Sequence, residues 1–266
     1  MDSSKRVFLF DLDGTLTEAR KPASSRLGPI LRDLSKIGRI VIVTGSDYSF
    51  IEEQLNSAWC YVPCSTVVLM PCNGTKKYVW NKAGFNSSFV LEKELSMKGA
   101  LGDEAYRKLV NYILKRQVKF IEKSEIAINC SGRFISYRGS MINWSPLGRD
   151  GCTQARESFI SYDDKNLYRK KEIKKMKRFV NSMGIPVKIS YGGDTSFDIF
   201  PLGWDKTLAL KEIDNEEVYF FGDRCKPGGN DYEIYEAVKK TGGFAYHVDS
   251  PEETMDILLK IIQENK

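Results

Sequence analysis

The 266-residue chain carries 40 Lys and Arg against 35 Asp and Glu, a net charge of +5, and a single histidine, His247. One imidazole argues against Ser-His-Asp hydrolases, Cys-His proteases, histidine-based phosphatases, zinc metalloproteases and 2-His-1-carboxylate iron enzymes, which need imidazole beside specific partners. Any catalysis rests on carboxylates, hydroxyls, Lys, Arg or a bound cation. The six cysteines form no C-x-x-C pair, as expected of reduced thiols in a cytoplasmic protein rather than a zinc site or disulfide framework.

Only four apolar residues, Val7 to Phe10, precede Asp11, too few for a signal-peptide core, so secretion is not expected. They read as a buried parallel strand that stops at Asp11-Leu12-Asp13-Gly14-Thr15. A helix follows, with Ser24 or Ser25 as cap, an apolar face of Leu27, Ile30, Leu31, Leu34 and Ile37, and Gly38 as terminator. Arg39 to Thr44 is a second buried strand, and a helical stretch runs from about Tyr48 to Leu55. The uncharged segment Gln54 to Thr75 contains Pro63, Pro71 and several Asn, Ser and Thr; it reads as strand and loop, not as a membrane span. Val67 to Met70 is the next strand.

From Lys77 the pattern changes to short alternating strands and helices, including Phe134 to Tyr137, Met141 to Trp144 and Ser196 to Phe200. Within it, Arg169 to Arg178 holds seven positive residues and one negative, and leaves the remainder of the chain close to neutral. Leu167, Ile173, Met176, Phe179, Val180 and Met183 give that run an apolar stripe. It reads as the solvated face of an amphipathic helix, and nucleic-acid binding is disfavoured because only a stripe is basic. After Gly203 the α/β pattern returns: a helix near Thr207 to Ile213, a strand Val218 to Phe221 ending at Gly222-Asp223, a helix from Asn230, a strand Phe244 to Val248, and a last helix opened by Ser250-Pro251-Glu252-Glu253. The fold class is therefore α/β, a doubly wound core (1–81 and 202–266) with an inserted α+β domain (82–201).

Asp11 and Asp13 stand at the carboxyl end of the first strand, where open α/β sheets bind ligands. Asp223 ends another strand in the same way, and with Asn230 and Asp231 it supplies oxygen donors suited to Mg²⁺.

This constellation resembles the haloacid dehalogenase (HAD) superfamily of phosphoryl-transfer enzymes. The resemblance implies a HAD-like Rossmannoid core with a cap, Asp11 as nucleophile, Asp13 as general acid and base, Thr44 and Lys206 steadying the phosphoryl group, and Asp11, Asp13 and Asp223 around the metal. More specifically, Arg138 to Arg149, Arg156, Gly192 to Lys206, Phe220 to Asp223 and Gly228 to Ile234 resemble the eukaryotic-type phosphomannomutases over nearly the whole chain. That likeness implies that Arg20, Arg138, Arg149, Arg156, Ser196 and Asp198 bind a hexose phosphate, that a hexose 1,6-bisphosphate primes the reaction, and that the protein is a homodimer through the cap. A mutase needs two phosphate sites, and guanidinium forks suit the one that does not react.

Some positions depart from the family. Thr44-Gly45-Ser46-Asp47 replaces Gly-Gly-Ser-Asp, Cys72 replaces Glu before Asn73-Gly74, and Arg224-Cys225 replaces Lys-Thr. Ala237 and Lys240 stand where an Asp and a Thr contribute to a second cation site. The expectation is a phosphomannomutase acting in GDP-mannose synthesis; its rivals are a sugar-phosphate phosphatase on the same scaffold and a binding protein that uses the basic helix.

Overall fold

A computed structural model describes residues 6–84, 87–213 and 217–265. The chain divides into two compact units, residues 1–94 with 204–266, and residues 95–203.

Unit 1 is built on a seven-stranded sheet of β1 (Arg6–Phe10), β2 (Arg39–Val43), β3 (Val67–Met70), β4 (Lys76–Asn81), β5 (Ser88–Glu94), β10 (Glu217–Gly222) and β11 (Phe244–His247). Their spatial order is β11-β10-β1-β2-β3-β4-β5, parallel through β3 and antiparallel beyond. The uninterrupted apolar runs follow from burial on both faces. Phe8, Phe10, Ile40 and Ile42 pack against α1 (Leu27–Leu34), α2 (Tyr48–Trp59) and the C-terminal helix Pro251–Glu264, while Val7, Leu9, Val41 and Val43 face Ala209, Ile234 and Val238 on the other side. Each such side chain removed from water contributes about 1.5–3 kcal/mol.

Three expectations shift here. β5 pairs with β4 along Lys76 to Asn81 and continues the core sheet, so the inserted unit begins at Leu95 and ends at Gly203 rather than spanning 82–201. The uncharged stretch from Gln54 begins as the last turn of α2, and only its later part is loop and strand. Neither Ser24 nor Ser25 is the N-cap of α1; Arg26 is, without a side-chain bond. Among the described residues no helix is long and apolar enough to cross a membrane.

Beyond β3, a single-turn segment α3 (Pro71–Gly74) closes the first half of the sheet. Unit 2 has a four-stranded antiparallel sheet, order β6-β7-β9-β8, from β6 (Ile135–Tyr137), β7 (Ile142–Trp144), β8 (Val187–Gly192) and β9 (Ser196–Pro201). Its helices are α4 (Met97–Leu101), α5 (Asp103–Lys123), α6 (Thr153–Asn166) and α7 (Tyr168–Ser182). Back in unit 1, Lys206–Glu212 is a 3-10 segment where an ordinary helix was expected, followed by α8 (Tyr232–Lys240) and α9, the C-terminal helix (Pro251–Glu264). The expected serine cap opens α9: Ser250 Oγ accepts from the Glu253 amide at 3.2 Å, and the Glu253 side chain reaches one residue beyond the N-cap to accept from the Asp249 amide at 2.7 Å.

Candidate active site

The carboxyl ends of β1, β2 and β10 are adjacent in the sheet, which brings Asp11, Thr44 and Asp223 to one edge of unit 1. The Asp11 amide donates to Phe221 O at 2.9 Å, locking the two aspartate-bearing ends together. Gly14, at φ +90°, is required by this approach, because a Cβ there would lie 2.5 Å from Asp223 Oδ2.

Lys206 is 1% exposed, and its ammonium donates to Asp11 Oδ1 at 2.5 Å and to Asp231 Oδ1 at 2.6 Å. Asp231 is the N-cap residue of α8 but its side chain makes no capping bond; its second oxygen accepts from the Arg224 amide at 3.1 Å. Asp11 Oδ2 has no hydrogen-bond partner among the described residues. Burial, then the nearby Asp231 carboxylate, push the Asp11 pKa well above the ordinary value, against the pull of Lys206. Burial alone would lower the Lys206 pKa, but Asp11 and Asp231 outweigh it and raise it, so the ammonium stays charged.

Ligand atoms of Asp11, Asp223 and Asp231 all lie within 4.8 Å of one another. Asp223 Oδ1 and Asn230 Oδ1 are buried with no hydrogen-bond partner. Hard oxygen donors, orphaned acceptors and three carboxylates facing one ammonium fit a divalent cation. Asp231, which the sequence offered only as a further oxygen donor, joins Asp11 and Asp223 in this grouping, and the Asp13 carboxylate is not part of it. The Asp13 side chain turns elsewhere, with Oδ1 accepting from the Arg20 amide at 2.9 Å and Oδ2 from Ser46 Oγ at 3.2 Å.

Ser46 was not singled out as a site residue, yet it links the loop after β2 to Asp13. Thr44 Oγ1 accepts from the Ser46 amide at 3.1 Å. The loop is held in turn by α3, where Cys72 (φ 51°) and Asn73 (φ 61°) are both left-handed and their amides donate to Ser46 O and Thr44 O at 2.9 and 2.8 Å. Two consecutive non-glycine residues in that region are costly, of order 1 kcal/mol or more each. The departure from the family at Cys72 therefore falls in a segment whose backbone positions the Thr44–Ser46 loop. On α8, Ala237 and Lys240 bring no oxygen ligand.

The expected sugar-phosphate residues divide between the units. Arg20 is exposed in unit 1, at φ 62°. Arg138 lies in the turn between β6 and β7, its amide donating to Met141 O at 2.9 Å. The register of β7 against β9 sets Asn143 opposite Asp198, and Asn143 becomes a hub: its Nδ2 donates to Asp198 Oδ1 at 2.7 Å and Ser196 Oγ at 3.0 Å, and its Oδ1 accepts from Arg149 at 2.6 Å. Arg156 reaches Thr195 Oγ1 at 3.5 Å. Arg149, Ser196 and Asp198 are thus joined through a residue that spacing alone did not mark.

The profile of the family described as eukaryotic phosphomannomutase matches residues 27–264. The chain belongs to this family. It is 38% identical over 251 residues to a phosphomannomutase of Arabidopsis thaliana, covering 94% of this chain and 93% of that protein. To a phosphomannomutase of Encephalitozoon cuniculi it is 37% identical, covering 87% and 84%. Among solved structures, an IMP-bound mutant of Plasmodium falciparum IMP-nucleotidase superposes with a TM-score of 0.67 at 16% identity over 98% of this chain and 67% of that one. The C-terminal domain of Candida albicans trehalose-6-phosphate phosphatase does so at 0.59, with 98% and 93% covered. At such identities these structures speak to the fold alone, a doubly wound α/β core with an inserted α+β unit.

Proposed function

We propose that the protein is a phosphomannomutase that interconverts mannose 6-phosphate and mannose 1-phosphate, feeding GDP-mannose synthesis, with Asp11 as the group that carries the phosphoryl. The carrying observation, in a chain of this family, is the buried Asp11 carboxylate, one oxygen held by Lys206 and the other without a hydrogen-bond partner among the described residues. In this reading a hexose 1,6-bisphosphate primes Asp11 as an aspartyl phosphate. Asp13, steadied by Ser46 and the Arg20 amide, moves the proton to and from the sugar oxygen. Lys206 neutralises charge as the phosphoryl group approaches, and Thr44 sits at the neighbouring strand end. Mg²⁺ held by Asp11, Asp223 and Asp231, when bound, supplies the charge that masks repulsion between carboxylate and phosphate. Arg138, Arg149 and Arg156, with Ser196 and Asp198, hold the phosphate and hydroxyls that are not reacting, and Arg20 contributes from unit 1.

The same reading makes the protein cytoplasmic and a homodimer through unit 2. Leu114, Val118 and Ile121 support the latter: on α5 they are 48%, 53% and 46% exposed at helical spacing, a stripe that a second copy would cover.

Phosphorus NMR with Mg²⁺, mannose 1-phosphate and a trace of hexose bisphosphate tests the activity. Appearance of the 6-phosphate is expected; inorganic phosphate alone would mean a phosphatase, and no change would remove the enzymatic reading.

The cation reading predicts a pH dependence. Burial, then Asp231, raise the Asp223 pKa from 3.8 to about 6 without metal. An acid raised on folding costs stability above its folded pKa and nothing below its unfolded one, so the metal-free protein should lose stability as pH rises from about 4 to 6. Mg²⁺ binds the ionised carboxylates, so the rise in melting temperature on adding it should be larger at pH 7 than at pH 5. A rise independent of pH would count against a site at Asp223.

A further inference from the structure

The basic run at 169–178 takes no part in the chemistry assigned to Asp11, and neither does the helix it packs against. Between α5 and α7 lies a cavity of about 250 Å³, lined by Arg116, Lys119, Phe120, Lys123, Tyr168 and Lys175. All six belong to unit 2, whereas the carboxylate cluster belongs to unit 1. None is among the arginines assigned to the hexose phosphate.

The cations are brought together by helical spacing. Arg116, Lys119 and Lys123 share one face of α5, and Tyr168 and Lys175 stand two turns apart on α7. The seam is fixed by Glu172, which is fully buried and held by both ends of the Arg116 guanidinium, with Nη2 to Oε2 at 2.6 Å. Phe120 lies 5.0 Å from the Tyr168 ring, and these two aromatic rings give the cavity an apolar floor. Glu172 serves Arg116, with Lys175 at 3.5 Å, and Lys119 and Lys123 have no carboxylate partner among the described residues. Elsewhere on α5 a lysine does find one, Lys108 at 2.6 Å from Glu104.

Four cations around a single buried carboxylate repel one another, and an anion seated between them relieves that repulsion while the apolar floor keeps water from one side. The volume lies below the roughly 300–1,000 Å³ of sites that enclose drug-sized ligands, so the occupant is compact. A nucleic-acid strand is disfavoured, because it needs an extended track with open aromatic faces, and the Phe120 ring is buried.

We propose that the cavity between α5 and α7 is a second anion site, which takes a compact, multiply charged phosphate compound of the pyrophosphate or phosphosugar kind. Its ligand contacts are the ammonium groups of Lys119, Lys123 and Lys175 and the free edge of the Arg116 guanidinium.

Lysine acetylation followed by mass spectrometry tests it residue by residue. Inorganic pyrophosphate, with a chelator present so that no metal complex forms, should slow acetylation of Lys119, Lys123 and Lys175 several-fold and leave Lys170, Lys174 and Lys177 unchanged. Sodium chloride at matched ionic strength should not. The double variant Lys119→Glu, Lys123→Glu should lose about tenfold in pyrophosphate affinity by calorimetry, the scale of one charge-assisted hydrogen bond, and keep its turnover of hexose phosphate without pyrophosphate. Equal protection by chloride, protection spread evenly over all six lysines, or no protection would overturn the proposal. So would an unchanged affinity in the double variant.

Discussion

Asp11→Asn is expected to lower turnover by on the order of 10⁴-fold or more while leaving the protein folded. The substitution keeps the shape of the side chain but replaces an anionic oxygen by a carboxamide, which is a poor nucleophile and forms no stable phosphoryl intermediate. The position is demanding. Asp11 is 3% exposed, and its burial and two neighbouring carboxylates, Asp231 and Asp223, all press against its ionisation. Removing one of three crowded carboxylates relieves that pressure, and Lys206 keeps Asp231 as its partner at 2.6 Å. The thermal midpoint of the metal-free variant should therefore equal or exceed that of the parent. Turnover above a hundredth of the parent's would place the nucleophile elsewhere; a collapsed midpoint would make Asp11 a structural residue first. The measurement pairs the hexose phosphate assay with a melting curve on the same preparation, so that the two readings separate.

Much of this site was legible because it sits where local pattern is strongest. An apolar run such as Val7 to Phe10 is forced into the centre of a sheet, and a carboxylate directly after it has only the strand end to occupy. The same pattern returns at Val218 to Asp223 and marked a second strand ending in an acid; its pairing with β1 is seen only in the structure. What could not be read was which acid completes the cluster. Asp231 reaches Lys206 because the loop after Asp223 folds back tightly: a Cβ on Gly229 would meet Arg224 O at 2.0 Å, and one on Gly222 would meet the Asp231 carboxyl carbon at 2.9 Å. Nothing in the spacing separates that turn from one that presents Asn230. Asp13, two residues from Asp11, has its side chain held by Ser46, 33 residues away, a contact no local spacing announces.

The inserted unit was harder for a different reason. β5 exposes most of its side chains and so offers no alternation to read, and only pairing with β4 assigns it to the core sheet. In the basic helix, Met176 and Val180 are buried as the stripe predicted, while Leu167 and Met183 are largely exposed. Glu172 reads as one solvated charge among many and is instead completely buried, because Arg116, 56 residues earlier, supplies its partner. Pairings over such separations leave no local signature.

Lys206→Met should damage folding and turnover by routes that can be separated. The ammonium is the only cation that the structure places against both Asp11 and Asp231 among the described residues, and the side chain is 1% exposed. Breaking a buried pair by removing one partner costs about 3–5 kcal/mol, because the charge left behind stays out of water. Here the charges left behind are carboxylates already crowded within 4.8 Å of one another. Lys206 lowers the pKa values of Asp11 and Asp223, so without it both rise further, and an acid raised on folding loses stability only above its unfolded pKa. The deficit should be largest at neutral pH and shrink as pH falls toward about 4. Urea unfolding across that range, beside parallel curves for the parent, measures it; a deficit that does not change with pH would mean that lost packing, not uncompensated charge, is responsible. Adding Asp231→Asn to the same chain removes one of the stranded charges and should recover much of the stability. It should not recover the reaction, since the positive charge opposite the incoming phosphoryl group is still missing, at a cost on the order of 10²–10³-fold. Recovery of both together would show that Lys206 serves the fold alone.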